Sequence, residues 1–195
     1  MSDDVFTNAK TAEALAKSLK ELAADQQLAW EKVSVSNHPS PGPITDAEPL
    51  FRAFDQPVHF QNGGITPAAF SDAEVRGLSV NRTLHISISD ALILAADRVA
   101  RVNQRKTQDT SRPGTHHTAE ARKTVAYTVF TALDVRLVRG EEPGLARRAF
   151  GVYDTATEND KSHGDIFFLL TGKQAWRSAR SKLYDLAKPG LVVLD

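Results

Sequence analysis

Cysteine is absent from the 195 residues, which excludes disulfides, thiolate nucleophiles and cysteine-ligated zinc and leaves His, Asp and Glu as the metal-ligating types. Such a chain needs no oxidising compartment. Long apolar runs are missing too: no stretch of 18 residues is apolar enough to cross a bilayer as a helix. The opening MSDDVFTNAK starts on acids, without the basic and apolar regions of a signal peptide. The expectation is a cytoplasmic protein without membrane contact. Signature motifs are lacking as well. HExxH, GxxxxGK[ST], GxGxxG and GxSxG do not occur, so zinc-protease, P-loop, dinucleotide-fold and hydrolase-elbow chemistry lose their usual support. No internal repeat or biased tract appears. Nothing calls for a cofactor.

What is present is an uneven distribution of charge. Net charge is zero, yet residues 1–97 hold 7 Lys+Arg against 13 Asp+Glu, and residues 98–148 hold 11 against 5. A basic middle behind an acidic first half is a signature of polyanion or nucleic-acid contact, or of two parts that complement each other within one fold. Arg101, Arg105 and Arg112 are the candidate nucleic-acid contacts. Residues 98–124 contain no aromatic side chain on which bases could stack.

The length suits one domain with a substantial core. Residues 1–35 read as an N-terminal helical extension. Over residues 11–32, Leu15, Leu19 and Leu22 recur at helical spacing and Leu28 and Trp30 follow, with Lys17, Lys20, Glu21 and Asp25 on the other face. Such an amphipathic helix can pack in cis, or in trans on a protein partner or a second copy. Four prolines and a glycine mark residues 36–49 as a linker, and residues 50–195 form the main domain. Within it, residues 50–54 and 57–60 read as short strands. Gln61-Asn62-Gly63-Gly64 reads as a tight reversal, and Thr66-Pro67 as the start of a helical turn before a strand at 77–80. A helix starts near Ser89-Asp90, with Leu92, Ala95, Ala96, Val99 and Val102 as its apolar stripe.

Residues 107–118 read as a surface loop. Val125, Tyr127, Val129, Leu133, Val135 and Leu137 predict one long strand broken by a bulge near Thr131. Strands at 150–153, 166–170 and 191–194 and a helix over 173–186 behind Thr171 complete the pattern. Helices and strands do not alternate, so the expected fold class is α+β. A mostly antiparallel sheet is flanked by two main helices, with an amphipathic helix at the N-terminus.

Candidate site residues follow from chemistry. Arg52 and Arg82 are arginines inside apolar strands, and each must find a carboxylate, carbonyl or phosphate. His163 and Asp165, set around Gly164 ahead of an apolar run, could serve as an acid–base pair at a sheet rim or simply shape the turn there. His59 and His85 read as core histidines. His116 and His117 are adjacent, and neighbours in an extended loop point opposite ways, so no metal site is expected.

The pairing of Leu50-Phe51-Arg52 with a later Leu78-Ser79-Val80 resembles the opening of ADP-ribosyltransferase-like folds. That resemblance spans residues 50–82 and implies that Arg52 and Ser79 help hold NAD. It carries one serine where the family has a Ser-Thr-Ser triplet, and Glu141, Glu142 and Glu158 all stand in turn-like contexts. Two functions remain open at this point. One is a phosphate-, nucleotide- or nucleic-acid-binding pocket at strand ends, built from Arg52, Ser79, Arg82, His163 and Asp165, with or without catalysis. The other is a non-catalytic interaction protein that uses residues 11–32.

Overall fold

The computed structural model describes residues 5–110, 120–142 and 145–195. Elements in chain order are α1 (Val5–Asn8), α2 (Ala12–Glu21), α3 (Ala24–Trp30), β1 (Pro49–Gln56), β2 (Phe60–Gln61), β3 (Gly64–Ile65), a 3₁₀ turn (Pro67–Phe70), α4 (Asp72–Val75), β4 (Leu78–Arg82) and α5 (Ile88–Thr110). Then follow β5 (Lys123–Thr131), α6 (Ala132–Leu137), β6 (Arg139–Glu142), β7 (Leu145–Arg148), β8 (Phe150–Asp154), β9 (His163–Phe168), α7 (Lys173–Ala187) and β10 (Val192–Val193). Six strands form one sheet in the order β10-β5-β1-β4-β9-β8. Every neighbouring pair in it is antiparallel. The protein is α+β, as its sequence pattern leads one to expect.

The period-two alternation of the strands gives the sheet two unlike faces. One face carries Leu50, Phe54, Leu78, Val80, Phe130, Val152, Ile166 and Phe168, and packs on Trp176, Ala179 and Leu183 of α7 and Phe70 of the 3₁₀ turn. The other face is covered only at its two sides. Phe51 and Ala53 pack under Ala91 and Ala95 of α5, whereas Tyr153, Phe167 and Leu169 pack under Ala16 and Leu19 of α2. Between these covers lies a strip of β4 and β9 that, among the described residues, borders a cavity walled by α5.

Several elements differ from the sequence pattern, each for a local reason. Residues 11–32 are two helices, because the chain is extended at Leu22 and Ala23. The Gln27 amide takes up the Leu19 carbonyl at 2.7 Å and also reaches the Leu169 carbonyl at 3.2 Å, so the break is satisfied by a side chain and tied to the sheet. The run from Val125 to Leu137 is a strand followed by a helix. Thr131 Oγ1 accepts from the Asp134 N–H while the Asp134 carboxylate accepts from the Thr131 N–H, a capping box that turns β5 into α6. Helix α5 continues through Thr110, past the expected loop boundary at 107, and the rest of that loop lies outside the described residues. The Asn62-Gly63 reversal joins β2 to β3 with φ of 51° and 78°, as a left-handed two-residue turn requires.

The proline-rich segment 36–49 lies against the sheet. Ile44 is buried in the main core, Ser36 Oγ donates to the Ala156 carbonyl, and the Gly42 and Ile44 carbonyls accept from Arg82 and Arg136.

Candidate functional site

The strip presents Ser79 and Asn81 of β4 opposite Asp165 and His163 of β9. Two neighbouring cavities open along it. The first, about 460 Å³, has Phe51, Ala53, Ser79, Asn81 and His163 on the sheet side. Leu94, Ala95, Arg98 and Arg101 of α5 form one wall and Thr157, Asn159 and Asp160 the other. The second, about 690 Å³, shares Ser79 and Arg98 with the first. It extends past Arg52, Asp55 and His59 to Asp72 and Arg76, and along α5 to Arg105, Lys106 and the facing Arg122.

Arg52 sits where the sheet opens. Strands β1 and β4 pair only at Leu50↔Arg82 and Phe51↔Asn81, and beyond that point the Arg52 guanidinium fills the gap. Its Nη1 donates to the Ser79 carbonyl at 3.0 Å and its Nη2 to the Ala69 carbonyl at 3.3 Å. Nε has no acceptor. The residue is 3% exposed, and among the described residues no carboxylate lies within 4 Å of it. Burial, reinforced by the neighbouring Arg98 charge, pulls its pKa down to about 10, so it stays cationic at neutral pH. The carboxylates of Asp72, Asp55 and Asp165 act on it from a distance, and a buried cation whose direct partners are carbonyls alone is costly unless an anion completes its shell.

Other cations crowd the same cavity. Arg98 reaches Asp55 at 3.4 Å, and Arg76 pairs with Asp72 at 2.9 Å. Arg105, Lys106 and Arg122 have no carboxylate within 4 Å among the described residues, and the buried Arg122 Nε lacks an acceptor, as Arg52 Nε does. Six cationic side chains thus line a space that holds two carboxylates. Arg122 is fixed in place by Asn103 of α5, whose side chain bonds both its N–H and its carbonyl at 2.9 Å.

His59 records the resulting potential. Burial first, then the charges of Arg52, Arg98 and Arg122, push its pKa down to about 3. Its Nδ1 accepts from the Asp55 N–H at 3.2 Å, which assigns the single ring proton to Nε2 and makes His59 a neutral donor on the cavity wall.

In the first cavity, His163 Nδ1 lies 3.1 Å from the Thr155 carbonyl and 3.0 Å from Thr155 Oγ1. A carbonyl can only accept, so Nδ1 carries the proton and Nε2 is left as an acceptor. Thr155 Oγ1 donates to Asp165 at 2.8 Å, and Asp165 Oδ2 stands 3.9 Å from His163 Nδ1. His163 and Asp165 are therefore joined through Thr155. Asp160 is fully engaged, accepting from Asn81 Nδ2, the Ser162 N–H and the Ser162 hydroxyl.

The structure brings Ser79, His163 and Asp165 to the strip, holds Arg52 in the gap between β1 and β4 at the second cavity, and places Arg101 in the first cavity and Arg105 in the second. Arg82 is not brought there. It points into the opposite face, is 2% exposed, and pairs with Glu48 through Nε at 2.7 Å and Nη2 at 3.1 Å, with Asp154 at 3.4 Å and the Gly42 carbonyl completing its shell. Arg112, His116 and His117 lie outside the described residues. Among the described residues, no cluster of three metal-ligating side chains occurs, and no helix is long and apolar enough to cross a membrane. The pattern of residues gave no signal for Arg98, Arg122 or Asn81. Each stands in an ordinary polar context in the chain, and only the docking of α5 on the sheet collects them.

No family model, curated protein or solved structure matches this chain. The resemblance of its opening to ADP-ribosyltransferases therefore rests on Arg52 and Ser79 alone.

Proposed function

We propose that this protein binds a phosphate-bearing or similarly anionic small molecule in the second cavity, with Arg52, Arg98 and Arg122 and the Nε2–H of His59 as its donors. The observation that carries this reading is the buried Arg52, charged at neutral pH, unpaired with any carboxylate and with Nε free. A purely structural arginine at that position is expected to resemble Arg82, which has two carboxylates. The lack of any aromatic residue in the lining of the second cavity favours a small ligand over a nucleic-acid strand. The interaction-protein reading has less behind it: Ala16 and Leu19 are committed to the molecule's own sheet, which leaves residues 11–32 little apolar face for a partner.

The test is thermal stability with inorganic phosphate and pyrophosphate at low ionic strength. Binding raises Tm by mass action, by the equivalent of about 2.7 kcal/mol at a hundredfold excess over Kd, and Arg52→Met abolishes the response. No shift with either anion at millimolar concentration removes the proposal.

A further inference from the structure

The two cavities meet at Ser79 and Arg98, and their chemistry differs sharply. The second is cationic. The first is less so: Arg98 and Arg101 stand on its wall against one carboxylate, Asp160, whose oxygens accept from Asn81 and Ser162. Besides these charges it offers a set of short neutral groups. His163 Nε2 is an acceptor by the tautomer that Thr155 imposes, Asn81 has used its amide nitrogen on Asp160 and Ser162 and keeps its oxygen, and the Ser79 hydroxyl has no partner among the described residues. Beside them lie the apolar surfaces of Ala53, Leu94 and Ala95. Acceptors flanked by modest apolar surface suit a body rich in hydroxyl or N–H donors.

We infer that the two cavities form one bipartite site for a phosphate monoester whose hydroxyl-bearing body occupies the first cavity while its phosphate occupies the second. This rests on the anion-binding reading of the second cavity and adds the ligand's class to it. Within the site, His163 is a recognition residue that accepts from a ligand hydroxyl, and Asp165 is a positioning residue acting through Thr155. An apolar-bodied ester is rejected, since it leaves His163 Nε2 and Asn81 Oδ1 without donors.

Calorimetric titration of the full chain with inorganic phosphate, ribose, ribose 5-phosphate, adenosine 5′-monophosphate and phenyl phosphate tests this. The expected result is that at least one hydroxylated ester binds about tenfold or more tighter than inorganic phosphate, a gain equivalent to about 1.4 kcal/mol, and that phenyl phosphate shows no such gain. Leu94→Trp, at a half-buried helix position, fills the first cavity and removes the gain. His163→Phe, a second route should the first variant misfold, removes it too. If phosphate binds but no hydroxylated ester binds more tightly, or phenyl phosphate gains as much, the bipartite site is overturned while the anion site stands. If no phosphate compound binds at all, the anion-binding reading fails and this inference fails with it.

Discussion

Arg52 Nη1 donates to the Ser79 carbonyl at 3.0 Å across the point where β1 and β4 part. In a continuous ladder that carbonyl is expected to face a backbone N–H. A charged side chain stands there instead, and the wedge it holds open leads into the cavity lined by Arg98 and Arg122. The short β1–β4 ladder and the cationic cavity thus meet at the same residue.

The two buried arginines of neighbouring strands are expected to respond unequally to neutral substitution. Arg82→Met leaves Glu48 and Asp154 buried without their cation and costs about 3–5 kcal/mol. Arg52→Met removes a desolvated charge with no carboxylate within 4 Å among the described residues, at the expense of the donors to two carbonyls, and costs less, about 1–3 kcal/mol. Urea denaturation of both variants measures the difference. Equal losses contradict the view that Arg52 is electrostatically incomplete.

Glu31 is a second internal anchor, and it ties the N-terminal helices to the sheet. Its Oε1 accepts from Arg136, Arg148 and the Val152 N–H, while Tyr153 donates to the Gln27 carbonyl at 3.3 Å. Glu31→Ala leaves two half-buried arginines facing each other, and a loss of about 3–5 kcal/mol in one cooperative transition is expected. A biphasic melt, with residues 11–32 released first and the sheet unaffected, would show that these helices are an independent appendage.

The architecture was far more legible in the sequence than the site. Period-two strands and the spacing of Leu92, Ala95, Val99 and Val102 make themselves known within a few residues, so the α+β class follows from local pattern. The alternation at Val125–Leu137 misled because apolar spacing outweighed the T-x-x-D box at Thr131, a signal that was present. Arg52 could be singled out as an arginine in an apolar strand, but so could Arg82. Only tertiary structure separates them, because Glu48 and Asp154 reach Arg82 from distant segments while, among the described residues, no carboxylate comes within 4 Å of Arg52.

That box can be tested by itself. Thr131→Ala removes the acceptor of the Asp134 N–H and the donor to its carboxylate, so stability falls by about 1 kcal/mol. Thr131→Ser keeps both bonds and is expected to restore most of it. If the strand really continued through 131–137, alanine and serine would differ little there.

His59 provides a pH signature for the cationic cavity. Its folded pKa is depressed to about 3, against about 6.5 when unfolded. As pH falls below about 6.5 the unfolded chain takes up a proton that the folded protein refuses, so stability is fully present above that pH and is lost progressively down to about pH 3, at up to about 1.4 kcal/mol per pH unit. His59→Gln, which can keep an acceptor toward the Asp55 N–H, is expected to flatten this part of the profile while leaving the acid loss that comes from carboxylates. A bound phosphate offsets the charges of Arg52, Arg98 and Arg122 that help hold the imidazole neutral, so it raises the folded pKa and shallows the same slope. Chemical denaturation of wild type and variant between pH 4 and 7 (the bracket set by about 3 and about 6.5), with and without phosphate, measures both effects. A wild-type slope identical to that of His59→Gln would mean that His59 titrates normally, and with it the concentrated positive potential assigned to this cavity would be lost.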